Sequence, residues 1–386
     1  MDPSLNRISE RIRSAAAQRR PLRIRGGGSK DFYAQSLQGE LLDVSELRGI
    51  ISYEPSELVV TVRAGTPLLE LQAALQEKGQ HLAFEPPCFG HDATGVSAAT
   101  CGGMVAAGLA GPARASAGGV RDFVLGVTLF NGRAELLTFG GQVIKNVAGY
   151  DVSRLMVGAL GTLGVLTEIS LKVLPRAPAE ATLQCAGLRQ QQALDLLNRW
   201  GGQPLPLNAS CWVVDDSNGP AREQLFVRLR GAAAAVEAAC PRLLADMQSL
   251  GGDALRMDNA LAASDWIACG EQTLPFFQAA APELGLWRLS VPQTTPDLKL
   301  PFAQLIEWHG GLRWLWAPLS ALAQLHQLAA QVGGSATLFR APQAIGNQAP
   351  QRFSAMSPAL SRIHQRLKQE FDPACIFNRG RFCAQW

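Results

Sequence analysis

Backbone amides free of neighbouring Cβ atoms are the main chemical resource of this 386-residue chain, and they cluster in three places. The first is Arg25-Gly26-Gly27-Gly28-Ser29-Lys30. Consecutive glycines there let N–H groups approach phosphate oxygens closely, flanked by two cations and a hydroxyl. Taken alone, the run fits a phosphate nest or an ordinary surface turn. It is not a Walker loop, which needs four residues before Gly-Lys and a following Ser or Thr. The second stretch, Gly95-Val96-Ser97-Ala98-Ala99-Thr100-Cys101-Gly102-Gly103, adds two hydroxyls and further amides. Two such nests suit a diphosphate, and close packing of Ala- and Gly-rich backbones is the alternative. The third, Gly158-Ala159-Leu160-Gly161-Thr162-Leu163-Gly164-Val165, is spaced G-x-x-G-x-x-G. A strand follows it where a Rossmann unit requires a helix, so the dinucleotide fingerprint fails on context.

Other chemistry is scarce. The eight cysteines include no C-x-x-C and the five histidines no H-x-H or H-x-x-x-H pair, so no local metal or iron–sulfur clip is expected. Scattered cysteines read as reduced core thiols. Thirty-five basic against 32 acidic residues leave a net charge of +3, far from the basic excess of a nucleic-acid binder. Hydrophobic residues at 47% and charged ones at 17% describe a globular chain, long enough for two or three domains of roughly 150 residues.

The elements that position the glycine loops are legible. Leu22 and Ile24 alternate with arginines as a strand that runs straight into Gly26. Leu58–Arg63 is a second strand. Thr66 can cap a helix starting at Pro67, with Leu68, Leu71 and Leu75 on its buried side and Gly79 ending it. Val165, Thr167, Ile169, Leu171 and Val173 alternate with polar residues as a half-buried strand. Pro175 and Pro178 mark a boundary. Beyond it, strands are expected at 181–186, 210–214, 224–230, 286–291, 313–316 and 336–340, and helices at 190–200, 232–250 and 320–331, forming an antiparallel sheet covered by helices. No internal repeat is evident. The first 25 residues hold seven arginines without an apolar core, so they are not expected to act as a secretory signal. Leu5, Ile8 and Ile12 share a face, giving a short helix with a basic side open to water or to acidic lipid. The uncharged run 93–113 contains five glycines and few bulky residues, so it is not read as a membrane span.

The R-G-G-G-S loop, the tract at 95–111 and the run Lys145-Asn146-Val147-Ala148-Gly149-Tyr150-Asp151 together resemble the FAD-binding domain of the vanillyl-alcohol oxidase/p-cresol methylhydroxylase (PCMH) flavoprotein superfamily. With the closing L-K-Q-E-F-D-P-A-C-I-F-N-R-G-R at 367–381, the resemblance narrows to the FAD-binding E subunits of bacterial glycolate oxidases. It implies an α+β fold: a two-lobed PCMH-type FAD domain over 1–176, a ferredoxin-like α+β cap over 177–335, and a return segment over 336–386. A helix starting at Ser357-Pro358 would bury Leu360, Ile363 and Leu367. The diphosphate would lie between the first two glycine tracts and the adenine side near Gly161 to Val165. Relatives with covalent FAD often carry a His in the first loop, where this chain has Ser29 and Lys30, so noncovalent FAD is expected, a link through Cys88 or Cys101 being the alternative. A valine at Gly27 is expected to exclude the diphosphate with little loss of fold.

Oxidation of a 2-hydroxy acid needs a base, a cation for the carboxylate and a hydride acceptor. Relatives that resemble D-lactate dehydrogenase use a histidine- and acid-rich metal cluster, and this chain lacks it. Glu307-Trp308-His309 is the only local carboxylate–histidine pair in the cap, read as an exposed pair beside a buried Trp. Arg340 and Asn378 are the candidate catalytic residues. Lys145 and Tyr150 either brace the flavin domain or join the chemistry. Arg379 stands where relatives have proline, which puts the local turn in question. The implied function is oxidation of glycolate beside a sister FAD-binding catalytic subunit and an iron–sulfur subunit, in the cytoplasm or at the inner membrane through partners, with no transmembrane segment. The alternatives are a non-catalytic FAD-binding or assembly subunit and a free-standing D-lactate or 2-hydroxy-acid dehydrogenase.

Overall fold

A helix at the start of the chain follows from its ends as much as from its face. Asp2 accepts from the Ser4 amide at 2.9 Å, Pro3 fills the first turn, and Ile8, Ile12 and Ala15 recur on the buried side, giving α1 (Pro3–Gln18). Its basic side meets acids of the same unit, with Arg7 2.5 Å from Glu46 and Arg11 2.6 Å from Glu40. The computed structural model describes residues 2–90, 97–141, 151–216, 219–279, 281–342 and 351–383. They divide into two compact units, one made of 1–110, 118–176 and 355–386, the other of 111–117 and 177–354.

In the first unit, β1 (Leu22–Arg25) pairs in parallel with β2 (Glu40–Asp43), and Leu22 also bridges to Phe377 from the far end of the chain. Then come β3 (Ile50–Glu54), β4 (Val59–Arg63), α2 (Leu68–Glu77), β5 (Gln80–His81) and α3 (Cys101–Ala107), and the short α4 (Arg114–Ala117) that groups with the second unit. Leu68, Leu71 and Leu75 are buried as their spacing requires. The cap differs from expectation: Pro67 holds that position, and the Thr66 hydroxyl bonds the amide and carbonyl of Gly49 at 2.9 and 3.1 Å. Strands β6 (Val124–Phe130), β7 (Leu136–Gly140), β8 (Val165–Lys172) and β9 (Leu174–Pro175) complete the series. The main sheet runs β3-β4-β8-β6-β7, antiparallel throughout, with β8 central. Its position explains why Leu166 and Ser170 are buried along with the apolar face, where alternation alone suggests half-burial.

The second unit is built twice over. Strand β10 (Ala179–Ala186), helix α5 (Gln190–Gly201), strands β11 (Leu207–Asp215) and β12 (Arg222–Gly231), helix α6 (Ala233–Ser249) and strand β13 (Asp253–Arg256) give the order β13-β10-β12-β11. After α7 (Asn259–Glu271), strands β14 (Leu284–Ser290), β15 (Gln304–Glu307) and β16 (Leu312–Pro318), helix α8 (Leu322–Gln331) and β17 (Ser335–Arg340) give β15-β16-β14-β17. Each half is the 4-1-3-2 antiparallel arrangement of a ferredoxin-like fold, the second with a loop in place of its first helix. The halves join where β11 pairs with β15, making one eight-stranded sheet. The repeat is structural, without a visible sequence period. Ala181, Leu183, Leu194, Leu197 and Leu243 form the core of the first half, and Trp287, Leu289, Leu315 and Leu325 that of the second.

Two expectations are corrected here. Residues 336–340 belong to β17 in the cap sheet, so the return to the first unit comes after Ser354, not at 336. The returning helix α9 (Pro358–Phe371) exposes Leu360 at 43% and Ile363 at 55%, and its buried residue is Lys368.

Within the second unit His309 is 9% exposed, its Nδ1 3.0 Å from the Ser210 hydroxyl and its Nε2 3.2 Å from that of Ser116. Burial lowers its pKa from 6.5 to about 4. The unfolded chain therefore takes up a proton below pH 6.5 that the folded chain resists until about pH 4, and stability falls across that window as pH drops. The loss from this group amounts to about 3 kcal/mol at full depth. Urea midpoints measured from pH 7 to pH 4 should decline, and His309→Gln should flatten the decline. Burial pushes His326 and His364 in the same direction, so a residual slope remains.

Candidate nucleotide-binding site

The three glycine stretches come together in the first unit. One narrow cleft of about 120 Å³ is lined by residues 25–31, by Thr100, Gly102 and Gly103, and by Gly161 and Gly164, with Ala106, Met156, Leu163 and Leu166 as apolar walls. At the first loop, the amides of Gly26, Gly27, Gly28 and Ser29 donate to no acceptor among the described residues. Gly28 has φ 76°, which favours glycine. Arg25, Lys30 and Arg381 bring three cations to the lining against one carboxylate, Asp31. Open amides and excess positive charge are what a diphosphate requires, and the volume suits that bridge rather than a whole dinucleotide.

The loop is held open from the other end of the chain. Arg381, 6% exposed, donates to the carbonyls of Gln35 at 2.6 Å and of Lys30 and Asp31 at 3.2 Å. Asn378 accepts from the Ile24 amide at 2.7 Å and donates to the Leu160 carbonyl at 2.6 Å, linking β1 to the third loop. Below them Lys368 donates to Thr162 O, Asp372 and Phe377 O at 2.7–2.9 Å, fully enclosed. Asp372 in turn receives the amides of Ile376 and Phe377. A buried pair satisfied on every side positions a segment at little net cost, whereas removing one partner costs several kcal/mol. The turn at Arg379 forms without proline, closed by the Arg381 amide on Asn378 O at 3.0 Å, with Gly380 at φ 72°.

Several anticipated roles change. Among the described residues the second tract brings Thr100, Gly102 and Gly103 to the lining, but Gly102 N–H is taken by Ala64 O and Gly103 N–H by the Thr100 oxygen, the cap of α3. Ser97 donates to Phe89 O at 2.8 Å, away from the cleft lining. Gly95 and Val96 lie outside the described residues, as do Lys145 and Tyr150. Gly158, Thr162 and Val165 of the third stretch are not part of the lining, and Thr162 donates to Ala159 O at 2.7 Å. Asn378 reaches the cleft as a clamp between backbones. Arg340 ends β17 in the second unit, its pKa lowered by burial. Glu307, Trp308 and His309 are all buried, not exposed: the Glu307 carboxylate accepts from Trp314 Nε1 at 2.7 Å and from the Cys269 thiol at 3.5 Å. Neither Cys88 nor Cys101 lines the cleft, and burial pushes the Cys101 thiol far up. Sequence reasoning missed Arg381, whose signal was its place in the terminal motif.

A family model described as an FAD binding domain matches residues 4–140. Glycolate oxidase subunit GlcE of Escherichia coli (strain K12) is 43% identical over 378 residues, spanning 98% of this chain and 97% of that protein. The chain belongs to the GlcE family. Glycolate oxidase subunit GlcD of Bacillus subtilis (strain 168) is 30% identical over 178 residues, covering 46% of this chain and 36% of the relative. Among solved structures, an alkyldihydroxyacetonephosphate synthase aligns with TM-score 0.67 over 97% of this chain and 75% of that one, at 13% identity, a likeness of fold.

This GlcE-family cleft fits the diphosphate of FAD on its own geometry, and it makes the glycines testable. A Cβ on Gly27 would overlap the Ala98 carbonyl. Gly27→Val therefore acts through the packing of the two tracts, and it should lower the melting temperature as well as flavin content, unlike the expectation from sequence. Arg381→Ala frees the carbonyls that keep the loop open. It should weaken FAD binding at least about tenfold, equivalent to ~1.4 kcal/mol, by flavin fluorescence titration, with Arg381→Lys recovering part.

Proposed function

We propose that this chain is the FAD-binding subunit of a glycolate oxidase, taking part in oxidation of glycolate to glyoxylate with electrons passed to an iron–sulfur partner subunit. The observation that carries the reading is full-length similarity to GlcE combined with a cleft whose first loop presents four open amides. When bound, FAD supplies the hydride acceptor. Gly26 to Ser29 bind the diphosphate oxygens, and Arg25 and Lys30 offset their charge. Gly102 and Gly103 allow the cofactor to approach the backbone, and the apolar walls keep water from it. Arg340 is proposed to face the substrate carboxylate from the cap. The partners proposed are a sister FAD-binding subunit and an iron–sulfur subunit, through which membrane contact is proposed to run. Among the described residues no helix is long and apolar enough to cross a membrane.

A second reading, a flavin-holding subunit that does not itself oxidise substrate, is favoured by one feature. The cap's Glu307 and His309 are saturated by internal hydrogen bonds, leaving neither directed outward as a base. Purified chain should carry a flavin spectrum, and acid precipitation should release the flavin into the supernatant. Anaerobic glycolate bleaching that spectrum supports catalysis; bound but unreactive flavin supports the second reading; bleaching by D-lactate alone overturns the substrate assignment.

A further inference from the structure

The sheet of the second unit carries a cavity of about 530 Å³ on the face where α7 lies. It is open to solvent on one side, and the volume falls within the roughly 300–1,000 Å³ range of small-molecule sites. It begins at Cys211 and runs along β11 to Asp215 and Asp216, away from Ser210 and the buried His309. Four aromatic side chains wall it: Phe226, Trp266, Phe276 and Trp316. Two of these are pinned. Trp266 Nε1 donates to the Thr182 hydroxyl at 2.9 Å and Trp316 Nε1 to the Phe276 carbonyl at 2.7 Å. Their polar atoms are thus occupied, and what remains for a ligand is ring surface, which attracts cations. The Trp266 ring already attracts one cation, with the Arg228 guanidinium 5.0 Å from its ring centre.

Charge points the same way. Asp215, Asp216 and Asp265 line the cavity, and no Lys, Arg or His does so among the described residues. Arg222, across the ladder from Asp215, and Arg228 lie outside the lining. Asp265 sits exposed at the rim, where partial desolvation and the neighbouring Asp215 carboxylate push its carboxyl up, as negative groups drawn close together do.

We propose that this cavity binds a small organic cation, a substituted ammonium with an aromatic or aliphatic body, seated against Trp266 and Trp316 with its charge toward Asp265 and Asp216. The site is independent of the nucleotide cleft, since every lining residue belongs to the second unit.

The test is calorimetric titration of the full-length chain with phenethylammonium chloride and, separately, with 2-phenylethanol, its uncharged near-isostere. Saturable binding of the cation is expected, about tenfold tighter than the alcohol. Asp265→Asn should weaken the cation several-fold and leave the alcohol unchanged. Should that variant melt early, the exposed Asp216→Asn serves the same purpose. Equal affinities for the two probes, no saturable heat, or indifference to both substitutions would overturn the proposal. So would exclusion of the probe from a self-associated chain and its return on dilution, which would assign the cavity to an interface between copies.

Discussion

The Arg381 guanidinium, buried among the carbonyls of Lys30, Asp31 and Gln35, holds a loop whose first amides find no acceptor among the described residues. A run of amides left without acceptors would ordinarily be lost to a tighter turn, because each backbone donor seeks a partner. Holding the carbonyls prevents that collapse. A guanidinium is well matched to three carbonyls at once, being planar, always charged, and equipped with several donors in a rigid fork. It is itself held, since the Asn378 side chain ties the same terminal turn to β1 and to the third loop, and Lys368 anchors the turn from beneath. The far end of the chain thus completes a site that its beginning opens, and the loop between β1 and β2 cannot be understood from its own residues.

The glycines show why such a site is only half legible in sequence. Gly27 is required because the Ala98 carbonyl passes where its Cβ would be, and Gly26 because Thr100 does. Gly161, at φ 71°, would meet the Asn378 amide. A glycine run announces close approach, but not whether a ligand or another backbone approaches. Here both do. The hydroxyls of the second tract were ambiguous for a similar reason. Ser and Thr near a helix start bond the backbone as readily as a ligand, and Thr100 caps α3.

Elsewhere the periodic pattern did well where burial is one-sided and poorly where it is not. The anticipated cap strands and helices correspond to β10, β11, β12, β14, β16, β17, α5, α6 and α8, with ends shifted by a few residues. Helix α7 escaped because it has no polar stripe to contrast with its apolar one: Leu261 and Ile267 are 66% and 68% exposed while Ala262, Trp266 and Cys269 are buried. Strand β15 is four residues long and buried at every one, so alternation is absent. The stripe on α9 was read correctly as a stripe. Its burial required a neighbour that the described residues do not place there, and a sequence cannot supply that.

Polar burial serves opposite ends in the two units. In the first, Lys368, Asn378 and Arg381 donate to backbone carbonyls and Asp372 accepts from backbone amides, which holds the turn beside a loop whose amides find no acceptor among the described residues. In the second, buried polar groups close on one another and on backbone carbonyls. Arg313 is fully buried on the carbonyls of Thr295, Pro296 and Gly310, its pKa lowered to about 10 by burial, and it steadies the corner where Trp308 and His309 adopt left-handed backbone. That corner aims His309 at two serines and leaves Glu307 to Trp314 and Cys269. A general base must present a free acceptor to the proton it removes. The Glu307–His309 pair, which the sequence reads as exposed, is therefore a buried structural one, and on the proposed reading the substrate proton leaves through another group, on this chain or on its partner.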